Sequence, residues 1–341
     1  MQEKRGQYAL VTAGVVSTAA LMVLLLSVVL GPAQGIQYTL DSIAYGSLFA
    51  LMALGLSLLF GVMGLMNFAY GELIMAGAYV MYYTRGSGWL GMILMTIVVV
   101  TILSLLMELV AFRPLRKATP VVLLISSFAV SYGLEALGWM TVGKGPQKGV
   151  QPYPWLTKQF DIGGVLISRL EIATWIVTVV LLVGMTLLLR QTTLGIQLRA
   201  STEDFRMAQL TGVRANWVIS AAFGITGLLA SAVALLYVLR AGAVDPSIGQ
   251  GPLLIAFVGG VIGGLGSLPA AALGGFVLGA VINMLGATLP ITLKSHTQLF
   301  AFLIVIAILV FLPGGLVSLR ARRLVGLWRR RKPAAAEGPA A

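Results

Sequence analysis

The sequence predicts an all-α polytopic membrane protein with about eight full transmembrane helices and two short or broken ones. Three observations carry that expectation. Of 341 residues, 58% are hydrophobic and only 10% are charged, whereas an ordinary soluble domain is about a quarter charged. Mean hydropathy is +0.96. The apolar residues also fall into runs of the ~20 residues needed to cross a hydrocarbon core ~30 Å thick.

The runs are 8–30, 42–66, 72–84, 89–112, 119–141, 172–189, 215–239, 251–265, 268–289 and 297–319. The first follows MQEKRGQ and is longer than the ~7–15 residues of a cleaved signal, so it reads as a retained span. Runs 72–84 and 251–265 are too short to cross alone, which leaves eight full spans. The whole chain, 1–341, reads as one transmembrane domain. Its membrane region is 8–319, a cytoplasmic loop covers 193–213, and a basic tail covers 320–341.

Charge orients the set. The net charge of +12 need not mean nucleic acid, because cytoplasmic loops collect Lys and Arg. With the N-terminus inside, 16 basic residues fall in 1–7, 113–118, 190–214 and 320–341, against 7 outside. Both termini are therefore expected in the cytoplasm. The outer segment 142–171, with Pro146, Pro152, Tyr153, Pro154 and Trp155, reads as ordered at the interface. The tail reads as an anchor at anionic lipid with a disordered end. There are no cysteines, which excludes disulfides, thiolate metal sites and thiol nucleophiles.

A coarse parallel repeat shows in the hydropathy. A plain helix, a Gly-interrupted pair and another plain helix (8–30, 42–84, 89–112) are matched later by 215–239, 251–289 and 297–319. Interrupted segments at matching positions point to a transport path.

Two interruptions carry chemistry. NFAYGE, residues 67–72, places Asn67, Phe68, Tyr70, Gly71 and Glu72 inside an apolar run. Gly71 permits non-helical backbone, and Glu72 falls in the first turn of the next helix, where the dipole favours an anion. The stretch is either a cap and turn or a lining of the pathway. GGLGSLP, with Gly263, Gly264, Gly266 and Ser267, must break its helix before Pro269. Irregular backbone at membrane depth survives only buried in protein or facing a water-filled cavity. Gly259/Gly263, Gly260/Gly264 and Gly275/Gly279 have the spacing for close helix approach.

Other intramembrane acids are candidates by default. Glu108 is expected to pair with Arg113 about a turn away, and Glu135 lies nearer the outer face. His296, the single histidine, is expected solvated in an outer turn. In RQTTLGIQLRASTEDFRMAQLTGVR (190–214), Ser201 or Thr202 is expected to cap a short helix that ends at Gly212. That helix is either a surface helix or a dock for a cytoplasmic partner. No phosphate-cradling GxxxxGK[ST], HExxH, GxSxG or metal-ligand cluster occurs, so no intrinsic enzyme activity, cofactor or metal is expected.

These landmarks together resemble the membrane permease subunits of the branched-chain amino-acid family of ABC importers, LivH type. The family's LNFAHGE-like motif is similar to MNFAYGE here, with Met66 and Tyr70 at its Leu and His positions. Its AxxEDxxxAxLxGI pattern resembles RASTEDFRMAQLTGV (199–213), and its LGGxGSxxGAxxGG run resembles IGGLGSLPAAALGG (262–275). The likeness covers roughly residues 40–315.

The resemblance implies a type II-importer-like permease in the bacterial cytoplasmic (inner) membrane. It implies pairing with a second, similar permease, two cytoplasmic ATPases that hydrolyse the nucleotide, and an extracytoplasmic binding protein. Arg199, Glu203, Asp204, Arg206, Ala208 and Gly212 would belong to the helix that docks on the ATPase. The substrate would cross between the two permeases. The same family carries urea and short amides, and Tyr70 leaves those open beside leucine, isoleucine and valine. Two other readings stand: a proton-coupled secondary transporter using Glu72, Glu108 or Glu135, and a passive channel for a small neutral solute.

Overall fold

The computed structural model describes residues 31–311, except 65, 117, 143–146, 149, 151–152, 204, 211 and 265–266; for Glu203 and Arg206 it describes the backbone alone. The expected span 8–30, the tail 320–341, Gly266 and Asp204 lie outside the described residues, and the last span is described only to Phe311.

Helix α1, Pro32–Met63, is the axis of the bundle. In its apolar window 83% is buried, against 22% for two of the outer helices. The chain expected a helix only from 42, because Gln37 and Asp41 interrupt the apolar run. The helix tolerates them at its outer end, where the Gln37 amide donates to the Leu166 carbonyl and accepts from its N–H, both at 2.8 Å. α1 ends at Gly64, which turns left-handed with φ 66°.

The chain continues through α2 (Tyr70–Thr84) and α3 (Gly88–Met107). A π-helical turn, Glu108–Phe112, extends α3 and is followed by α4 (Pro120–Val142). Beyond α4 lie β1 (Gln147–Lys148) and a hairpin of β2 (Gln159–Ile162) with β3 (Val165–Ser168). The hairpin turns on Gly163 and Gly164, both at positive φ, as a two-residue loop of this kind requires. α5 (Arg169–Gln191) starts with a complete capping box between Ser168 and Glu171.

Two loop helices follow at the other end, α6 (Thr193–Glu203) and α7 (Phe205–Leu210). Then come α8 (Ala215–Ala241), β4 (Ala243–Val244), α9 (Gln250–Gly263), α10 (Leu268–Thr288), a 3-10 turn (Ile291–His296) and α11 (Thr297–Phe311). β4 pairs antiparallel with β1. Among the described residues six helices are long and apolar enough to cross a membrane, namely α1, α3 with its π turn, α4, α5, α8 and α10. This is the fold of a polytopic helical membrane protein.

Glycine sets the tightest contacts. A Cβ on Gly279 would lie 2.5 Å from the Phe49 ring, and one on Gly275 2.5 Å from the Phe49 carbonyl oxygen, so α10 lies directly on α1. Small residues at helix interfaces permit this approach in apolar surroundings. The interrupted pairs are unequal, in the order that their apolar runs give. The long helix precedes the break in α1–α2 (32 then 15 residues) and follows it in α9–α10 (14 then 21 residues).

Candidate functional site

Asn67, Phe68, Tyr70, Gly71 and Glu72 meet the bundle about halfway along α8. Gly77 of α2 faces Ala234 of α8, with a Cβ-to-Cβ approach of 2.5 Å were the glycine an alanine. The two helices run in the same direction and both end seven residues later, at Thr84 and Ala241. Counting back seven residues puts Tyr70 level with Gly227, midway along α8. The NFAYGE break thus lies level with the middle of α8.

Its partner is not GGLGSLP. After α8 the chain re-enters the bundle through Gly242–Gly249, held by Ser247, whose N–H and hydroxyl both donate to Asp245 Oδ1 at 2.9 and 2.6 Å. It ends on Gly249, where an added Cβ would lie 1.9 Å from the Gly71 carbonyl oxygen. α2 leaves this point toward the hairpin end, and α9 leaves it toward the loop-helix end. Two half-helices of 15 and 14 residues therefore meet N-terminus to N-terminus, and together they cover ~43 Å at 1.5 Å per residue. Each end carries about half a positive charge, and in this arrangement the Tyr70, Glu72, Gln250 and Leu253 N–H groups donate to the Asn67, Ala69, Ser247 and Gly249 carbonyls.

Polar side chains converge there. Glu72 is 1% exposed; its Oε1 accepts from the Ser131 hydroxyl at 2.9 Å, and Oε2 has no partner. Asn67 Oδ1 accepts from the Ala69 N–H at 3.1 Å, while its Nδ2 is buried without a partner. Gln250, the first residue of α9, donates to Glu135 Oε2 at 2.6 Å, and the Trp139 indole donates to Glu135 Oε1 at 3.4 Å. Phe68 stacks on Phe128 with centroids 4.3 Å apart, and its N–H donates to Ser127 Oγ at 3.4 Å. Tyr70 is fully buried against Gly55, where a Cβ would come within 2.7 Å of the phenol oxygen.

Ser127, Ser131, Glu135 and Gly138 form one face of α4, and through it α4 clasps both half-helices. Sequence reasoning missed Ser127, Ser131, Gly249 and Gln250. The usable signals were the four-residue spacing in SSFAVSYGLE and the glycine just ahead of a span too short to cross.

The other predicted residues lie elsewhere. Gly263 packs inside the α9–α10 hairpin, where a Cβ would be 2.0 Å from the Ala270 carbonyl oxygen, and Gly264 turns the chain at φ 102°. Close helix packing therefore accounts for this glycine, the kind of approach for which the Gly259/Gly263 spacing is suited. Ser267 borders an apolar cavity of about 690 Å³ between α1, α5 and α10, together with Gly61, Arg199 and Thr202. The described residues of this stretch thus end α9 at Gly264 and start α10 at Ser267, near the loop helices.

Glu108 pairs with Arg116, not Arg113, and accepts from the Ser220 hydroxyl at 2.9 Å. The π turn is the reason. It closes with Arg113 N–H on the Glu108 carbonyl at 2.7 Å, and the extra residue turns the Arg113 side chain away.

The loop helix also starts earlier than expected. Thr192 accepts from the Gly195 N–H at 3.0 Å, so Thr192 caps it, and Ser201 and Thr202 fall inside α6. Gly212 is left-handed at φ 92° and closes α7. Ala208 is buried, whereas Met207 and Leu210 are exposed. His296 is exposed in the 3-10 turn.

Comparison with known proteins places these features in a matched region. The model of a family described as branched-chain amino acid transport system / permease component matches residues 38–312. The high-affinity branched-chain amino acid transport system permease protein BraD of Pseudomonas aeruginosa is 30% identical over 297 residues, covering 83% of this chain and 95% of its own. LivH of Escherichia coli, a permease protein of the same description, is 28% identical over 298 residues with the same coverage. The probable branched-chain amino acid transport permease protein LivH of Methanocaldococcus jannaschii is 25% identical over 299 residues, covering 83% and 92%.

Proposed function

The chain belongs to the family of branched-chain amino acid transport system permease components, and from that premise we propose that it is the membrane-spanning subunit of an ATP-binding-cassette importer carrying branched-chain or related hydrophobic amino acids into the cytoplasm. The observation that best supports a transport role is the buried meeting of two half-helix N-termini at Gly71 and Gly249, with Asn67 and Glu72 holding unpartnered polar atoms. Discontinuous helices with their N-termini near mid-depth are how many transporters present backbone N–H groups to an anionic part of the solute. On this reading the junction is the closed gate of the path, and Phe68, Tyr70 and the Ser127–Glu135 face of α4 hold it shut.

The complex comprises this chain, a second similar permease, two cytoplasmic ATPases that hydrolyse the nucleotide, and an extracytoplasmic binding protein. Eight full spans, counting 8–30 and 297–319, bring both termini to the cytoplasmic side of the bacterial inner membrane. α6 and α7 dock on the ATPase through the exposed Met207 and Leu210. Gly263, Gly264 and Ser267, with Gly266 beside them in sequence, make the second helix break of the path, and Arg199, Glu203, Asp204, Arg206, Ala208 and Gly212 belong to the docking segment.

Reconstituted proteoliposomes provide the test. The full complex with ATP inside should take up leucine, and the chain alone should not under a proton gradient. Proton-driven uptake by the chain alone would overturn the importer reading in favour of a secondary transporter using Glu72, Glu108 or Glu135.

A further inference from the structure

An open depression at the loop-helix end of the bundle lies outside the gate. It is lined by Arg113, Arg214, Asn216, Trp217 and Ser220. Two cations are brought together here, and the neighbouring contacts explain how. Arg116 is tied to Glu108 and to the Asn216 side-chain oxygen, and Ser220 is tied to Glu108 as well. This fastens the turn after α3 to the first turns of α8. The π turn then leaves Arg113 outside, opposite Arg214, the residue that precedes α8.

Among the described residues neither Arg113 nor Arg214 has an ion-pair partner, since the carboxylate next to them is taken by Arg116. Like charges converging on one depression repel, and the arrangement is relieved by an anion between them.

The surroundings say which anion. Trp217 is 59% exposed, and an indole half in apolar surroundings marks a membrane–water interface. Directly above, α3 presents a column of exposed apolar side chains, including Val110, Leu109, Leu106 and Ile102. A soluble anion would use the arginines and ignore the column; a lipid would use both.

We propose that this depression holds the phosphate of an anionic phospholipid between Arg113 and Arg214, with Trp217 at the glycerol level and the acyl chains along α3. The site would anchor the turn that joins α3 to α4, the helix that clasps the half-helix junction.

The test uses the purified full chain in nanodiscs of phosphatidylcholine doped with phosphatidylglycerol, with retained lipid read by native mass spectrometry. Phosphatidylglycerol should be retained in preference to phosphatidylcholine. Arg113→Gln/Arg214→Gln should lose that preference by about fivefold for each arginine removed. Arg113→Lys/Arg214→Lys should keep most of it, and Arg85→Gln, at the opposite end, should leave it unchanged. Equal retention by the double glutamine variant overturns the proposal. So does displacement of the lipid by millimolar inorganic phosphate, which would mark a soluble-anion site. A glutamine variant that loses ATPase copurification while its lipid retention is unchanged would assign the patch to a protein partner instead.

Discussion

A methyl group on Gly249 would lie 1.9 Å from the Gly71 carbonyl oxygen, and one on Gly71 would lie 3.0 Å from the Gly249 carbonyl oxygen. Neither backbone can accept a side chain without moving. Gly249→Ala should therefore destabilise the closed junction by about 1–3 kcal/mol, the cost of overpacking a tight contact, and Gly71→Leu should abolish uptake while membrane insertion persists. Uptake by vesicles, set against the amount of protein in the membrane fraction, checks both; full transport by Gly71→Leu would reduce the contact to a simple turn. Half of this junction is legible in the sequence, because an amide and a carboxylate inside an apolar run stand out. The other half is not, since Gly249 and Gln250 sit in what reads as an ordinary connection after α8, and nothing local reveals that it folds back into the bundle. Tyr70 illustrates the same limit: its departure from the family motif is visible, but its accommodation by Gly55, fifteen residues earlier, is visible only in three dimensions.

At the scale of elements, α4 is held by specific polar contacts rather than by burial. Only 22% of its apolar window is buried, yet Ser131 reaches Glu72 and Glu135 reaches Gln250. Hydrogen bonds between helices in apolar surroundings contribute about 0.6 kcal/mol on average and up to about 1.7. A double-mutant cycle of Glu135→Leu and Gln250→Leu, followed by thermal unfolding in detergent, should give a coupling energy in that range. Zero coupling would show that the 2.6 Å contact does not help to hold α4. The type and order of the helices followed from apolar run length, and their ends shifted where polar residues took specific partners. α1 extends to Pro32 because Gln37 bonds the hairpin. The loop helix begins at Thr193 because Thr192, rather than Ser201 or Thr202, supplies the cap.

For the whole molecule, the sequence contains no cysteine, so single introduced thiols can report orientation without a background. Ser87→Cys, in the turn between α2 and α3, should react with a membrane-impermeant maleimide from outside intact cells. Asn216→Cys, at the start of α8, should react only after permeabilisation. The reverse pattern would invert the topology drawn from the excess of Lys and Arg on one side. Hydropathy alone foretold the membrane class and the two short helices. It did not foretell which broken segments meet, because pairing depends on depth, and depth is lost when residues are read along a line.

The glycine junction has a thermodynamic consequence. Most seals made of bulky apolar side chains expose oily surface when they part, and water penalises that surface. Here the glycine contact itself is bare peptide and would uncover little apolar area, whereas the Phe68–Phe128 stack and the buried Tyr70 beside it would uncover more. Polar exposure lowers heat capacity and apolar exposure raises it. On the gate reading proposed above, parting Gly71 from Gly249 would therefore add little to the heat-capacity change of opening, and truncating Phe68 would lower that change.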